Sequence, residues 1–159
     1  LLSILERMGC QIEQGVQGQL SWISVTGPDK LKCVNADMSL LPDSAQTLAV
    51  VASVADGTSY ITGLSTLRHK ETDRIKALMN ELNKIGIKSE EYQDGIAVHG
   101  GNPTAATIAT YQDHRMAMSF ACLACKVKDL IIEQPTVVSK SFPQFWNYLA
   151  DMGFEIEYV

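Results

Sequence analysis

The stretch Ser44-Ala-Gln-Thr-Leu-Ala-Val-Val-Ala-Ser-Val-Ala55 consists of small and apolar residues on nearly every face of the helix that it predicts. A helix that lacks a polar face is buried on all sides. A second stretch of this kind, His114-Arg-Met-Ala-Met-Ser-Phe-Ala-Cys-Leu-Ala124, follows Asp113 as the first follows Asp43. We therefore expect two helices inside the core of the protein, with the sheets outside them.

The residues around these two helices indicate an internal repeat. Asp43 and Asp113 are 70 positions apart, and so are Lys70 and Lys140. The pattern of a helix, a strand, a turn and a second strand precedes each buried helix. Its segments are 1–8, 10–13, 15–18 and 20–25 in the first copy, and 75–85, 87–90, 94–95 and 96–99 in the second. A third copy begins with a helix at 145–152 and a strand at 154–158.

Repeated units that each expose an apolar face pack against their neighbours around a shared axis. We therefore predict one α/β domain over residues 1–159, built as an inside-out repeat domain with buried apolar helices and outer sheets. The approximate unit boundaries are 1–74, 75–144 and a partial 145–159. Equivalent loops then gather at one end of the domain.

The composition narrows the classes of function. Thirteen Lys and Arg against 18 Asp and Glu give a net charge of −5, which disfavours nucleic acid or an anionic membrane as a partner. No apolar run approaches the roughly 18 residues of a membrane span, so a cytoplasmic protein is expected. The spacing of Cys122 and Cys125 resembles a redox or zinc half-motif, but both lie in a stretch that predicts a buried helix, so we interpret them as core residues. Because the chain opens inside a helix without Met, we expect further sequence upstream.

The polar stretch Leu67-Arg-His-Lys-Glu-Thr-Asp-Arg74 lies between a predicted strand and a predicted helix that begins near Glu71. The amino end of a helix favours a bound anion. The repeat brings this stretch toward a common rim, whose members are Asp43, Lys70, Glu71, Arg74, Asp113, Arg115 and Lys140. Simpler interpretations stay open, namely Asp43 as a helix cap, Asp113 as a cap paired with Arg115, and a solvated helix start at Lys70.

Four motifs together resemble one known family. They are Leu41-Pro-Asp43, Lys70-Glu-Thr-Asp-Arg74, Asp113-His-Arg-Met-Ala-Met118 and Lys140-Ser-Phe-Pro143. In this order they are similar to the EPSP synthase family of the shikimate pathway of aromatic amino acid biosynthesis. The resemblance implies two similar domains, each of three βαβαββ-type units, that close on substrate. Residues 1–159 would form most of the second, carboxyl-terminal domain.

The resemblance implies transfer of the enolpyruvyl group of phosphoenolpyruvate to the 5-hydroxyl of shikimate 3-phosphate, with phosphate released through a tetrahedral intermediate. Asp43 would be the acid or base at the hydroxyl, and Lys70 would also contact shikimate 3-phosphate. Glu71 would exchange a proton with the methylene carbon, and His114 would tune or orient Glu71. The cations that would hold phosphoenolpyruvate, or glyphosate in its place, are Arg74, Arg115 and Lys140. No metal or organic cofactor is implied.

One position departs from the family pattern, because Thr66 stands where some members carry an asparagine four residues before the lysine. The resemblance also implies a missing amino-terminal domain as partner, a monomeric full-length enzyme, and no turnover by these 159 residues alone. Two alternatives remain at this point. One is UDP-N-acetylglucosamine 1-carboxyvinyltransferase, and the other is a non-catalytic anion-binding repeat domain.

Overall fold

A computed structural model describes residues 1–69 and 72–158 of the chain. The helices within these ranges are α1 (Leu2–Arg7), α2 (Ala45–Ala52), α3 (Arg74–Lys84), α4 (His114–Ala121) and α5 (Phe145–Asp151). Short 3-10 helices cover Pro42–Ser44, Ser65–His69, Cys122–Cys125 and Pro135–Lys140. Within the described ranges, no helix has both the length and the apolar character required to cross a bilayer.

The strands form one main sheet and two smaller pairs. They are β1 (Gln11–Gln17), β2 (Leu20–Thr26), β3 (Asn35–Asp37), β4 (Thr58–Thr62), β5 (Ser89–Tyr92), β6 (Gly95–His99), β7 (Thr107–Ile108) and β8 (Ile131–Ile132). The main sheet has the order β3-β4-β6-β5, in which β3 and β4 are parallel and the other neighbours are antiparallel. β1 and β2 form an antiparallel hairpin, and β7 pairs with β8 in parallel.

The two apolar helices lie in the core, as their sequences predict. Six of the eight residues of α2 and five of the eight residues of α4 are buried. The Thr47 hydroxyl hydrogen-bonds the Ser119 hydroxyl at 2.9 Å, which joins the two helices across 72 positions of sequence. Fully buried alanines such as Ala49 and Ala117 leave room for this close approach. The predicted inside-out α/β arrangement is therefore confirmed.

Two predicted boundaries near the start of the chain and before α3 are wrong. The predicted turn at 15–18 lies partly in β1, because Gly15 pairs with Trp22 of β2. The indole ring of Trp22 packs against the backbone of Gly15. A Cβ at Gly15 would meet that ring at 2.9 Å, so this glycine serves packing. α3 begins at Arg74 and not near Glu71, because Asp73 is its N-cap and accepts a hydrogen bond from the Lys76 amide at 3.2 Å.

The strand predicted at 154–158 is also absent from the described part of the chain, where this segment has no regular structure. Its alternating residues suit a strand, but a strand requires a neighbour that receives its backbone hydrogen bonds. No strand in the described ranges pairs with it. Of the two elements predicted after residue 144, the described residues therefore contain the helix, as α5, but not the strand.

The expected burial of Cys122 and Cys125 is wrong. Both residues are exposed, whereas Leu123 between them is only 2% exposed. The α-helical winding ends at Ala121 and continues as a 3-10 turn, Cys122–Cys125. With three residues per turn, positions three apart lie on one face, so both cysteines point away from the core that receives Leu123. All four cysteines are free thiols, and Cys10 is buried.

We predict that Gly100→Ala destabilises the contact between the end of the first buried helix and the main sheet. A Cβ at Gly100 would lie 1.9 Å from the Ala55 carbonyl oxygen, a backbone atom that cannot move aside. Such overpacking costs about 1–3 kcal/mol or more. Urea denaturation should show this loss. The matched control is Gly27→Ala, where nothing lies within 4 Å of the added atom. Equal stability of the two variants would contradict the packing described for Gly100.

Candidate active site

Asp43 lies in the 3-10 turn Pro42–Ser44 that leads into α2, whose N-cap is Ser44, while Leu41 is the N-cap of the turn. The Asp43 carboxylate instead accepts from two arginines. Arg74 Nη1 donates to Oδ1 at 2.9 Å, and Arg115 Nη2 donates to Oδ2 at 3.1 Å. The interpretation of Asp43 as a helix cap is therefore wrong. A carboxylate held on both oxygens has a fixed orientation.

Asp113 is the N-cap of α4, as one of the simpler interpretations predicted. Its Oδ1 accepts from the Arg115 amide at 2.8 Å, and its Oδ2 accepts from Arg74 Nε at 2.6 Å. The side chain is 0% exposed. The same interpretation paired the guanidinium of Arg115 with Asp113. In the structure this guanidinium pairs with Asp43 instead. Asp113 thus fixes the start of α4 and one edge of Arg74.

Arg74, the first residue of α3, lies between the two carboxylates. Its side chain is only 2% exposed, and it donates to Asp113 through Nε and to Asp43 through Nη1. A guanidinium is buried at acceptable cost only when carboxylates and hydrogen bonds replace its hydration. Arg74 therefore joins the starts of both buried helices. Its role as a cation for phosphoenolpyruvate stays a prediction.

Arg115 is more accessible than Arg74. Its side chain is 33% exposed, and that of Asp43 is 45% exposed. Besides the carboxylate, it donates through Nη1 to the Asp43 main-chain oxygen at 3.2 Å. Its buried Nε has no hydrogen-bond partner in the described part of the chain. The pair of Asp43 and Arg115 is therefore the face of this cluster that a dissolved molecule can reach.

His114 is the first residue of α4, beside the cluster. Burial lowers its pKa below the ordinary value of about 6.5, and the charges of Arg115, Lys140 and Arg74 act in the same direction. The Asp113 carboxylate opposes them, with Oδ1 3.8 Å from Nδ1. Nδ1 is buried and has no hydrogen-bond partner among the described residues. The imidazole is therefore neutral near pH 7.

Lys140 ends the 3-10 helix Pro135–Lys140, which packs against α4. It is exposed on the wall of an open concavity of about 760 Å³. The lining residues are Thr72, Ala109, Thr110, Tyr111, Gln112, Glu133, Gln134 and Lys140. Thr110 was not singled out in the sequence, because it is uncharged and lies outside the four motifs. Thr72 lies within the motif Lys70-Glu-Thr-Asp-Arg74 but was given no role.

Of the predicted rim, the structure connects Asp43, Arg74, Asp113 and Arg115 directly through hydrogen bonds. Lys140 lies close enough to His114 for its charge to affect the imidazole. Lys70 and Glu71 lie outside the described residues. No group of three or more potential metal ligands among His, Cys, Asp and Glu occurs in the part of the chain that the structure covers.

We predict that Arg74→Met destabilises the protein far more than Arg115→Met. The first change leaves the fully buried Asp113 carboxylate without its guanidinium. Removing one partner of a buried pair costs about 3–5 kcal/mol. The second change breaks a partly exposed pair with Asp43, which is worth about 0–1 kcal/mol. Urea denaturation of both variants measures the difference, and a larger loss in Arg115→Met would contradict it.

We predict that His114 makes folding stability depend on pH below about 6.5. Because burial lowers the pKa of the folded state, the unfolded chain binds the proton more readily. The contribution of His114 to the free energy of unfolding is fully present above the pKa that the imidazole has in the unfolded chain. It is lost as pH falls toward the pKa that the imidazole has in the folded protein. The slope is at most about 1.4 kcal/mol per pH unit. His114→Gln should flatten the curve of unfolding free energy in this range, and an unchanged slope would refute the prediction.

Comparison with known proteins agrees with the motifs and the fold. Residues 1–149 match the family model of EPSP synthase, 3-phosphoshikimate 1-carboxyvinyltransferase. A 3-phosphoshikimate 1-carboxyvinyltransferase of Nostoc punctiforme is 40% identical over 151 residues, which cover 95% of this chain and 34% of the relative. A protein of the same name from Methanosphaerula palustris is 38% identical over 152 residues, covering 96% of this chain and 35% of the relative.

The solved structures give the same result. The EPSP synthase of Acinetobacter baumannii superposes with a TM-score of 0.87 at 28% identity, over 98% of this chain and 39% of that one. The chain therefore spans about a third of the length of the curated relatives it matches. The match over residues 1–149 decides the family. The chain belongs to the EPSP synthase family.

Proposed function

We propose that this chain supplies one side of an active site that transfers the enolpyruvyl group of phosphoenolpyruvate to the 5-hydroxyl of shikimate 3-phosphate. The observation that carries the proposal is the half-exposed Asp43 carboxylate, which Arg74 and Arg115 hold on both oxygens. The buried guanidinium of Arg74 helps to orient this carboxylate, which remains accessible to a ligand from solvent. Family membership identifies the substrates that such a site would take.

In this proposal Asp43 accepts a hydrogen bond from the 5-hydroxyl of shikimate 3-phosphate and takes its proton. Lys70 contacts the same substrate, and Glu71 gives a proton to the methylene carbon of phosphoenolpyruvate. His114 orients Glu71. The lowered pKa of the partly buried His114 imidazole supports this, because a neutral ring both donates and accepts a hydrogen bond.

Phosphoenolpyruvate carries a carboxylate and a phosphate, and we propose that Arg115, Lys140 and Arg74 hold it. Arg115 and Lys140 are accessible enough for direct contact. A guanidinium offers two parallel N–H donors to a carboxylate or phosphate. Arg74 lies deeper, behind Asp43, and its positive charge acts there on both the carboxylate and the bound anion. Glyphosate, which also carries a carboxylate and a phosphonate, would occupy the same cations.

The chemistry requires only proton transfer and charge stabilisation. The 5-oxygen bonds to the central carbon of phosphoenolpyruvate as its proton passes to Asp43, and Glu71 protonates the methylene carbon. The tetrahedral intermediate then returns a proton from the new methyl group to Glu71 and expels phosphate, which takes the proton from Asp43, and the double bond is restored. General acid and base catalysis of this kind contributes about 10²–10⁴-fold. We propose no metal or organic cofactor for these steps.

We further propose that residues 1–159 form most of one of two similar domains, with repeat boundaries near 74 and 144. The remaining two-thirds of the relatives' length would supply the opposite side of the site in a monomeric enzyme. A cytoplasmic location is proposed as well. The four free thiols support it, because thiols persist in a reducing compartment.

We predict that this chain alone releases no phosphate from shikimate 3-phosphate and phosphoenolpyruvate, because it lacks the opposite side of the site. A chimera in which residues 1–149 replace the matching third of the Nostoc punctiforme relative should release phosphate. Asp43→Asn in the chimera should lower kcat by at least about 100-fold, since the proton acceptor is lost. A coupled phosphate assay measures all three proteins.

The control variant is Glu91→Gln, which removes an exposed carboxylate paired with Arg68 and should leave the rate unchanged. UDP-N-acetylglucosamine offered as acceptor should give no phosphate. A chimera that folds but stays inactive, or one that keeps its rate after Asp43→Asn, would contradict the proposed function. Phosphate release by the isolated chain would show that it needs no opposite side.

A further inference from the structure

Glu81 is a buried carboxylate in α3 that the sequence does not mark as functional. It is 0% exposed, on the same helix face as Leu78 and Leu82. A carboxylate in such a place requires hydrogen-bond donors or a positive charge. Glu81 has both. Tyr111 donates its hydroxyl to Oε1 at 2.7 Å, the Ala109 amide donates to Oε2 at 3.0 Å, and Lys84 Nζ lies 2.8 Å from Oε2.

Two of these three donors belong to the turn 109–113, which is 28 to 30 residues away in sequence. Tyr111 and Gln112 in this turn have φ values of +53° and +57°. Left-handed backbone costs a residue with a side chain roughly 1–2 kcal/mol. Two such residues in succession therefore require a restraint from outside the turn. The pair of hydrogen bonds to Glu81 is such a restraint.

The turn delivers Asp113 to its buried position. The Asp113 amide donates to the Thr110 carbonyl at 2.8 Å, which closes the turn. The Asp113 carboxylate then reaches both the Arg115 amide and Arg74. Arg74 and Glu81 are two helical turns apart on α3. This one helix therefore contacts both ends of the segment 109–113. Hydrogen bonds at Glu81 hold the beginning of the turn, and the ion pair at Arg74 holds its end.

We propose that Glu81 is a positioning residue for the candidate active site, because its carboxylate holds the turn 109–113 in the left-handed conformation that places Asp113. Through Asp113 it sets the start of α4 and therefore the location of Arg115. The catalytic meaning of this placement rests on the proposed function, whereas the placement itself does not. Burial, and then the bond to Glu81, raise the pKa of the Tyr111 phenol, so it remains a donor at neutral pH.

The competing interpretation is that Glu81 only neutralises Lys84 and contributes general stability. Lys84 is 44% exposed, and its Nζ also donates to the carbonyl of Thr107, which lies in β7 and outside the turn, at 3.3 Å. The two interpretations differ in which variant loosens the turn. Glu81→Gln leaves one acceptor oxygen for the two donors of the turn, and Tyr111→Phe removes one of those donors. Lys84→Gln removes the ion pair and the bond to Thr107 but neither hydrogen bond between Glu81 and the turn.

The test measures amide hydrogen exchange in the ¹⁵N-labelled chain. The quantity compared between variants is the ratio of the exchange rate of the Arg115 amide to that of the Tyr60 amide. Tyr60 donates to the Val34 carbonyl in the main sheet, so the ratio removes changes in global stability. Losing a buried hydrogen-bond partner should open the turn about 10-fold to 100-fold more often. We expect this rise in the ratio for Glu81→Gln and Tyr111→Phe, and no rise for Lys84→Gln or for the exposed Glu91→Gln.

Tyr111→Phe removes one hydroxyl and keeps the ring, so it decides the question even where Glu81→Gln fails to fold. The double variant should raise the ratio by less than the product of the two single effects, because both changes remove the bond between the Tyr111 hydroxyl and Glu81. An unchanged ratio in Tyr111→Phe, or an equal rise in Lys84→Gln, would overturn the inference. The exchange measurement uses no ligand, so a chain that fails to bind shikimate 3-phosphate counts against the proposed function alone.

Discussion

The burial of the Arg74 guanidinium is the constraint on which the rest of the site depends. An isolated buried cation costs several kcal/mol, and only carboxylates with good geometry offset this cost. Here Asp113 at 2.6 Å and Asp43 at 2.9 Å supply them. The two carboxylates precede α4 and α2, and the cation begins α3. Three elements distant in sequence must therefore meet at one point before any of them is stable there.

That meeting point follows from the inside-out packing. Small residues let α2 and α4 lie against each other in the core, and the bond between Thr47 and Ser119 sets their relative position. The main sheet packs outside α2. Because the two helices are equivalent in the 70-residue register, their first residues lie at the same end. The packing of apolar surface thus places Asp43 near Asp113. The two carboxylates then require a positive charge between them, which Arg74 supplies.

Much of this was predictable from sequence, and the failures have physical causes. Helix periodicity and the repeat located α2, α3, α4 and three of the four strands of the main sheet, whereas β3 was not predicted. The register also brought Asp43 and Asp113 together. Periodicity did not show that the winding changes at Ala121, which exposed Cys122 and Cys125. Helix periodicity also did not show whether Arg115 pairs with Asp43 or with Asp113. Such choices depend on distances that exist only after folding. Glu81 was missed because a charged residue on a helix is usually solvated.

The charge balance of the cluster is consistent with the proposal that this chain supplies one side of an active site. Asp43 and Asp113 carry two negative charges, and Arg74 and Arg115 carry two positive ones, so these four hydrogen-bonded groups cancel. His114 adds no charge near pH 7, because its pKa is lowered by burial. An incoming carboxylate or phosphate must therefore compete with Asp43 for Arg115. Among the residues that the structure describes beside this cluster, Lys140 adds one exposed cation, which is too little to offset the desolvation of ligands with several negative charges. In the proposed enzyme, cations from the opposite side of the site would tip this balance, and substrate would then be bound only when both sides meet around it.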